Sequence, residues 1–313
     1  MTDTLTKFMF EDATVRGELV ELRTSWQQVL THHHYPLPVR NLLGELTSAA
    51  ALLCANLKFE GSMIMQIHGD GPVKLLVVEC DNYLHIRSMA KLVDDVIISS
   101  DTSLTDLINA HGRGRFIITL DPSDKSNGQQ PYQGIVPLEG DSIAEVIENY
   151  MRQSEQLDTR LWLACDEQVS RGMLLQRLPH FGGNAGSSTD LADDEQSAQD
   201  AWERATILGN TLKAEELVST DTATLMYRLF WEETVRVFDP LRIRFQCTCS
   251  RDKVSNMLVM LGKEEVHDAL SSLGKLDINC DFCGKPYSFD VVDCAQLFLA
   301  PEIKVSPDPD LTH

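Results

Sequence analysis

The sequence lacks the features that would place it at a membrane or on nucleic acid. No run approaches the roughly 20 apolar residues that a membrane-spanning helix needs, and the first residues have no basic region and no apolar stretch of a secretory signal. Cations are scarce, with 27 Lys and Arg against 47 Asp and Glu and a formal net charge of −20. A chain this acidic should repel nucleic acid and anionic membranes. We therefore expect a cytoplasmic protein that binds neither.

The signatures of common hydrolases are missing as well. There is no Gly-x-Ser-x-Gly nucleophile elbow and no His-Glu-x-x-His motif. The histidine-rich stretch His32–His34 has no carboxylate or cysteine close to it in sequence, so it is interpreted as a solvated loop. The short basic stretch Gly112–Arg115 has no phosphate-loop context. These absences give no support to an enzyme.

What the sequence does contain is a double cysteine motif near its C-terminus. A C-x-C pair, Cys247 and Cys249, is followed after thirty residues by a C-x-x-C pair, Cys280 and Cys283. Four thiolates can close a tetrahedral zinc site, in which each sulfur lies about 2.3 Å from the metal. In a reducing cytosol such pairs are more often metal-binding or redox-active than structural disulfides. We predict one Zn²⁺ per reduced chain.

The surroundings of the motif leave a structural and a regulatory role open. Residues 241–285 hold 7 Lys and Arg against 6 Asp and Glu, a net of +1 in a strongly acidic chain, and nearby cations favour thiolates. A thiolate can react with an oxidant, and a sequence neighbour can resolve the product as a disulfide. A purely structural zinc ribbon is the more common use of this spacing. Cys54, Cys80 and Cys165 are interpreted as inert small hydrophobes, and Cys294 as a candidate extra redox partner.

Periodicity predicts a mixed α+β domain over residues 1–180. Strands are expected at residues 8–10, 15–22, 63–67, 73–78, 83–87, 116–120 and 161–164, and helices at residues 39–57, 142–154 and 169–178. The first helix is apolar enough to be a buried central helix. The turn over residues 69–72 predicts a hairpin between two of the strands. Without a steady βαβ alternation, α+β is favoured over a doubly wound sheet.

Residues 181–240 are predicted to form a separate linker segment. The stretch 182–200 is small, polar and acidic, so we expect it to be mobile. Two amphipathic helices should follow, the second capped by Asp221, including Val237 on its apolar side and ending at Asp239. The whole segment has a net charge of −8, from 12 acidic and 4 basic residues. It is either an ordinary helical pair packed on the first domain or a marginal unit that can be released.

Residues 241–313 are predicted to be a small zinc-binding domain. Two short helices ending at Gly262 and Gly274 lie between the cysteine pairs. Alternating apolar residues lead into the second pair and continue out of it as far as Val291. So few large side chains make a weak core that needs a metal staple.

At this point the residues resemble a known family. The cysteine signature and three upstream motifs are similar to those of the heat shock protein 33 family, the redox-regulated 33 kDa chaperonins, and Asp252 stands where that pattern has glutamate. The matching residues are Phe245, Cys247, Cys249, Ser250, Arg251, Cys280, Phe282, Cys283, Tyr287 and Phe289, with Val15–Glu18, Tyr132–Val136 and Gly172–Pro179 upstream.

The resemblance implies an ATP-independent holdase chaperone and no enzyme. It implies that the reduced form holds zinc through all four cysteines and is inactive. Oxidation then forms the disulfides Cys247–Cys249 and Cys280–Cys283, releases zinc and unfolds the linker segment. The oxidised protein is expected to dimerise and to bind unfolding client proteins during oxidative stress. The alternative is a constitutive zinc-ribbon interaction module without a switch.

Overall fold

The chain divides into two units, Met1–Cys247 and Thr248–His313. A computed structural model describes residues 3–11, 14–57, 60–124, 130–178 and 188–299, with the backbone alone for 188–195. Within these ranges no helix has the length and apolar character to cross a membrane. The predicted division after residues 180 and 240 stays a prediction.

The first unit is mixed α+β, which confirms the predicted fold class. Its strands are β1 (Thr4–Phe10), β2 (Val15–Leu22), β3 (Gly61–His68), β4 (Val73–Asp81), β5 (His85–Leu92), β6 (Arg115–Pro122), β7 (Tyr132–Val136), β8 (Thr159–Cys165), β9 (Ser170–Arg177), β10 (Val235–Val237), β11 (Leu241–Arg242) and β12 (Arg244–Phe245). Its helices are α1 (Thr24–Leu30), α2 (Leu37–Cys54), α3 (Leu104–Ile108), α4 (Ile143–Gln153), α5 (Ser188–Gly209), α6 (Ala214–Ser219) and α7 (Thr222–Phe230).

Two sheets organise this unit. The first has the order β10-β1-β2-β9-β8, with β11 also paired to β1, and the second has the order β12-β5-β4-β3-β6-β7. The hairpin predicted from the turn at residues 69–72 is confirmed as the antiparallel pair β3–β4. Every pairing in the two sheets is antiparallel except that of β12 with β5. The short strands β10, β11 and β12 therefore lie at sheet edges.

The buried central helix is confirmed as α2, which packs against strands of both sheets. It is apolar on most of its surface, and Val39, Leu43, Leu46 and Leu52 are fully buried. The helix starts two residues earlier than predicted and ends at Cys54 instead of residue 57. Side chains from both sheets complete one continuous core around it.

The opposite face of the first sheet is covered by α5, α6 and α7. Phe8, Leu19 and Met173 on the strands pack against Ala205 and Phe230 on the helices, in a second apolar cluster. The Asp221 cap is confirmed, since its side chain accepts a hydrogen bond from Thr224 N at 2.9 Å. We call α5–α7 the covering helices.

The predicted helix over Val169–Leu178 is wrong. That segment is β9, a strand between β2 and β8 that is buried along almost its whole length. Leu174 faces the α2 core, while Met173 and Leu175 face the covering helices. A strand that is covered on both faces has a nearly continuous apolar sequence. Periodicity cannot distinguish such a sequence from that of a buried helix.

Three other boundaries differ from the sequence predictions. Helix α5 begins at Ser188, so the expected mobile stretch is helical from that residue, and residues 182–187 lie outside the described residues. The helix capped by Asp221 ends at Phe230, and Val237 belongs to β10 because it pairs with Phe8 on β1. Val291 begins a helix and does not continue a strand, since Asp290 supplies a capping box there.

The second unit is built from three helices and one hairpin over its described residues. Its elements are α8 (Arg251–Leu261), α9 (Lys263–Leu273), β13 (Leu276–Asn279), β14 (Pro286–Phe289) and α10 (Val291–Leu297). The predicted ends at Gly262 and Gly274 are confirmed, and both glycines have positive φ values of 105° and 77°. Its apolar core is small, with Leu258, Val266, Leu270, Leu276, Tyr287, Phe289 and Cys294 as the buried members.

Candidate metal centre

The first cysteine pair follows the last strand of the first unit. Strand β12 runs parallel to β5, with Phe245 opposite Ile86. The pairing continues one residue further, because Gln246 N donates to Ile86 O at 3.1 Å. Cys247 therefore leaves the sheet edge from a fixed backbone position. After Cys249, Ser250 caps α8 by accepting a hydrogen bond from Lys253 N at 3.2 Å.

The second cysteine pair lies in the tight turn between β13 and β14. Gly284 has a φ of 65°, a conformation that glycine adopts without strain. Gly284 N donates to Cys280 O at 2.8 Å, and Cys280 N donates to Lys285 O at 3.0 Å. These two bonds close the turn around Cys283, and the Cys280 and Cys283 sulfurs lie within 4.8 Å of each other.

The four predicted cysteines come together in space. The sulfur atoms of Cys247, Cys249, Cys280 and Cys283 all lie within 4.8 Å of one another, and the Sγ atoms of Cys249 and Cys283 are 3.5 Å apart. A tetrahedral site with zinc–sulfur bonds of about 2.3 Å has sulfur–sulfur edges of roughly 3.8 Å. The cluster therefore has the donor type, number and spacing that such a metal requires, and these cysteines can hold a metal ion. All eight cysteines of the chain are thiols in this structure.

Two side chains outside the pairs bring polar groups to the sulfurs. Arg87 Nη1 donates to Cys247 Sγ at 3.8 Å, and Arg87 Nε donates to Glu79 at 2.9 Å. Burial alone would lower the pKa of Arg87, but Glu79 and Cys247 together raise it. The buried Tyr287 Oη makes no hydrogen bond of normal geometry. The hydroxyl interacts with the side chain of Cys249, and this polar contact, ahead of burial, raises the pKa of Tyr287 to about 12.

Sequence reasoning missed Arg87 and Glu79. Both lie about 160 residues before the cysteines, and no local pattern marks them. Arg87 is separated from Cys247 by 160 positions. The sequence held a partial signal, because apolar Leu84 and Ile86 alternate with polar His85 and Arg87. That pattern places Arg87 on the outer face of the sheet, but only the pairing with β12 brings it to a cysteine.

The remaining cysteines lie apart from this cluster. Cys54 and Cys80 are buried neighbours, and the side-chain interaction with Cys54, ahead of burial, favours the neutral thiol and raises the pKa of Cys80. Burial raises the pKa of Cys165 to about 12 and also raises that of Cys294. In the described ranges, the four-cysteine cluster is the only grouping of three or more potential metal ligands, and neither the histidines 32–34 nor Cys294 joins it.

Comparison with known proteins decides the family. The family model described as Hsp33 protein matches residues 3–290. The chain belongs to the Hsp33 family. This Hsp33-family chain is 48% identical over 314 residues to the 33 kDa chaperonin of Methylobacillus flagellatus, covering 100% of this chain and 99% of that protein. It is 46% identical to the 33 kDa chaperonin of Chromobacterium violaceum, over 95% of this chain and 94% of that one.

A solved structure supports the same fold. The crystal structure of the 33 kDa chaperonin from Thermotoga maritima aligns with a TM-score of 0.73 at 21% sequence identity. The alignment covers 94% of the present chain and 97% of the other. The Hsp33-family fold is thus retained at low identity, and the family resemblance stated from the sequence is confirmed.

Proposed function

We propose that this chain is a redox-regulated, ATP-independent holdase chaperone whose switch is a zinc centre formed by Cys247, Cys249, Cys280 and Cys283. The observation that carries the proposal is the convergence of these four thiols within 4.8 Å. Zn²⁺ bound there would supply a structural cross-link with no redox chemistry of its own. The cysteine thiolates are the groups that react with an oxidant. The same site would therefore cross-link the fold and detect the oxidant.

The redox step can be written with peroxide as the oxidant. A thiolate attacks one oxygen of hydrogen peroxide, the O–O bond breaks, and a sulfenic acid and hydroxide form. The neighbouring thiol then attacks the sulfenic sulfur, releasing water and forming the disulfide. Each disulfide consumes one peroxide and two electrons from sulfur. We assign the pairs Cys247–Cys249 and Cys280–Cys283. Disulfide sulfur is no longer a thiolate ligand, so the four cysteines would no longer hold a metal ion and the small second unit would lose that cross-link.

The segment before the cysteines is suited to respond to this loss. Between α7 and Cys247 the chain is held by β10, β11 and β12, which have three, two and two residues. Strands this short contribute few ladder hydrogen bonds, so they form a low-stability connection. Release of the covering helices would expose Phe8, Leu19 and Met173, which they now bury. That apolar surface is of the kind that holds unfolding clients.

Charge and surface fit the rest of the proposal. A net charge of −20 keeps a protein with newly exposed apolar surface in solution and disfavours nucleic acid. We propose a cytoplasmic location, unfolded proteins as partners and a homodimer as the oxidised form. The protein would act by binding and release, without catalysing a reaction.

One experiment tests the switch. Zinc is measured with a colorimetric chelator before and after hydrogen peroxide at raised temperature, and the same samples are assayed for suppression of client aggregation. We expect one zinc per reduced chain, its release on oxidation and chaperone activity only afterwards. Peptide mapping should find the two neighbour disulfides and not a Cys249–Cys283 link, although those sulfurs are 3.5 Å apart. An oxidised, zinc-free protein that leaves aggregation unchanged would contradict the proposal.

The constitutive zinc-ribbon module is the second candidate. It is favoured by the small core of the second unit, which needs a metal whether or not the site reacts. It predicts that zinc remains bound through peroxide treatment and that any partner binds the reduced form. Zinc retention under conditions that oxidise an unrelated exposed thiol would favour this module over the switch.

A further inference from the structure

Arg87 is placed between an acidic residue of the core sheet and a cysteine of the candidate metal centre. On β5 its neighbours Ile86 and Ser88 face the buried core, so alternation directs Arg87 to the other face. Glu79 on β4 is directly opposite Arg87, and β12 pairs with the other edge of β5. The guanidinium therefore has a carboxylate on one side and the Cys247 sulfur on the other.

The pair with Glu79 fixes the guanidinium. Both Nε and Nη2 of Arg87 donate to Glu79 Oε2, and the side chains of Arg87 and Glu79 are 14% and 23% exposed. A planar guanidinium held through two of its nitrogens has little freedom left, so its remaining nitrogen has a defined direction. That nitrogen, Nη1, is the one that lies 3.8 Å from Cys247 Sγ.

A cation at this point has a direct effect on a thiolate site. Zn²⁺ with four thiolates carries a formal charge of −2, which burial makes unfavourable. A hydrogen bond from a fixed cation to one sulfur offsets part of this charge and holds the ligand in place. Groups that orient metal ligands in this way typically change metal affinity 10–100-fold when removed.

We infer that Arg87 is a positioning residue for the metal centre: held by Glu79, it fixes the Cys247 sulfur and slows loss of the metal. The inference rests on the proposed zinc centre, and it adds a residue of the core sheet to a site otherwise built from cysteines. It also gives β5 a role in setting how readily the proposed switch responds to oxidant.

The test compares metal transfer from full-length variants to an excess of a colorimetric chelator. Arg87→Met should lose zinc about tenfold faster than the wild type or more, and Arg87→Lys, which retains the charge but not the fork, should be intermediate. Glu79→Gln keeps Arg87 and weakens its anchor, so a smaller acceleration is expected. The matched control is Arg160→Met, which removes an arginine with its own 2.8 Å carboxylate partner, Glu148, from another sheet and should leave the rate unchanged.

A spectroscopic readout separates positioning from a general loss of stability. In the cobalt-substituted protein, removal of a hydrogen bond to sulfur should move the sulfur-to-cobalt charge-transfer band of Arg87→Met to longer wavelength. Arg160→Met should not shift it. If Arg87→Met does not fold, the metal-transfer rate and the cobalt spectrum are measured on Arg87→Lys and Glu79→Gln instead. Unchanged transfer rates and spectra in these variants would overturn the inference while the wild type still binds zinc, whereas a wild type that binds no zinc would overturn the metal centre itself.

Discussion

The guanidinium of Arg171 lies 3.1 Å from the carboxylate of Glu21, and the arginine side chain is 1% exposed. Arg171 also donates to Thr220 O and, at 2.9 Å, to Thr222 Oγ1. These two threonines flank the turn between α6 and α7. One buried cation on β9 therefore links the first sheet to the covering helices.

Removing this cation should loosen the covering helices. Arg171→Met leaves Glu21 with Arg23 as its remaining partner and removes the donor to the Thr220 carbonyl. We therefore expect a loss of about 2 kcal/mol in the free energy of unfolding. Urea denaturation followed by circular dichroism measures it. The control Arg160→Met breaks a half-exposed pair and should cost less than about 1 kcal/mol. Equal losses in the two variants would show that Arg171 is not a special attachment point.

Cys280→Ser should abolish stoichiometric zinc binding, because a serine hydroxyl is a poor ligand for a thiolate site. Cys294→Ala is the matched control, since Cys294 is 2% exposed in the small core but lies outside the sulfur cluster. Zinc content after dialysis against a chelator distinguishes the two. Retained zinc in Cys280→Ser, or lost zinc in Cys294→Ala, would mean that the cluster is wrongly assigned.

Gly17→Ala should destabilise the first unit, because a methyl group at this position would lie 2.0 Å from Phe8 Cζ. Phe8 is opposite Gly17 in the β1–β2 pair and packs on Phe230, so it cannot move freely. Overpacking of this kind costs about 1–3 kcal/mol. Thermal unfolding measures the loss, and the second substitution Phe8→Leu should recover part of it. A double variant no more stable than Gly17→Ala would rule out the contact as the cause.

Stability should fall as the pH rises through the range in which Glu18 titrates. Both of its carboxylate oxygens are buried without a hydrogen bond, and Lys7 Nζ is 3.8 Å away. Burial, partly offset by Lys7, raises the pKa of Glu18 from 4.5 to about 7. The unfolded chain releases the proton first, so stability present below pH 4.5 is lost between pH 4.5 and 7, by about 3 kcal/mol at most.

The measurement for Glu18 is the urea midpoint at several pH values. Glu18→Gln cannot titrate and should flatten most of the slope. A residual slope is expected from Glu45, because burial also raises its pKa to about 7, but this side chain keeps some solvent contact and should contribute less. A pH profile that is identical in the wild type and Glu18→Gln would show that Glu18 is not the responsible group.

The sequence by itself determined the features that depend on near neighbours. Cysteine spacing identified the four sulfurs, and the predicted Asp221 cap forms the hydrogen bond expected of it. Helix α2 followed from its apolar periodicity. Each of these features depends on residues that are close in sequence, or on a motif whose chemistry requires a fixed set of metal ligands. It could therefore be predicted without knowledge of distant contacts.

Only the tertiary structure decided the features that depend on distant pairing. β9 is a strand because β2 and β8 supply its hydrogen bonds and apolar cover lies on both faces, which a local apolar run cannot show. Val237 lies in strand β10 and not in the predicted helix, because it pairs with Phe8 on β1. Arg87 meets Cys247 across 160 positions of chain, through sheet register alone. The cysteines were therefore visible in the sequence, while the residues that hold and surround them were not.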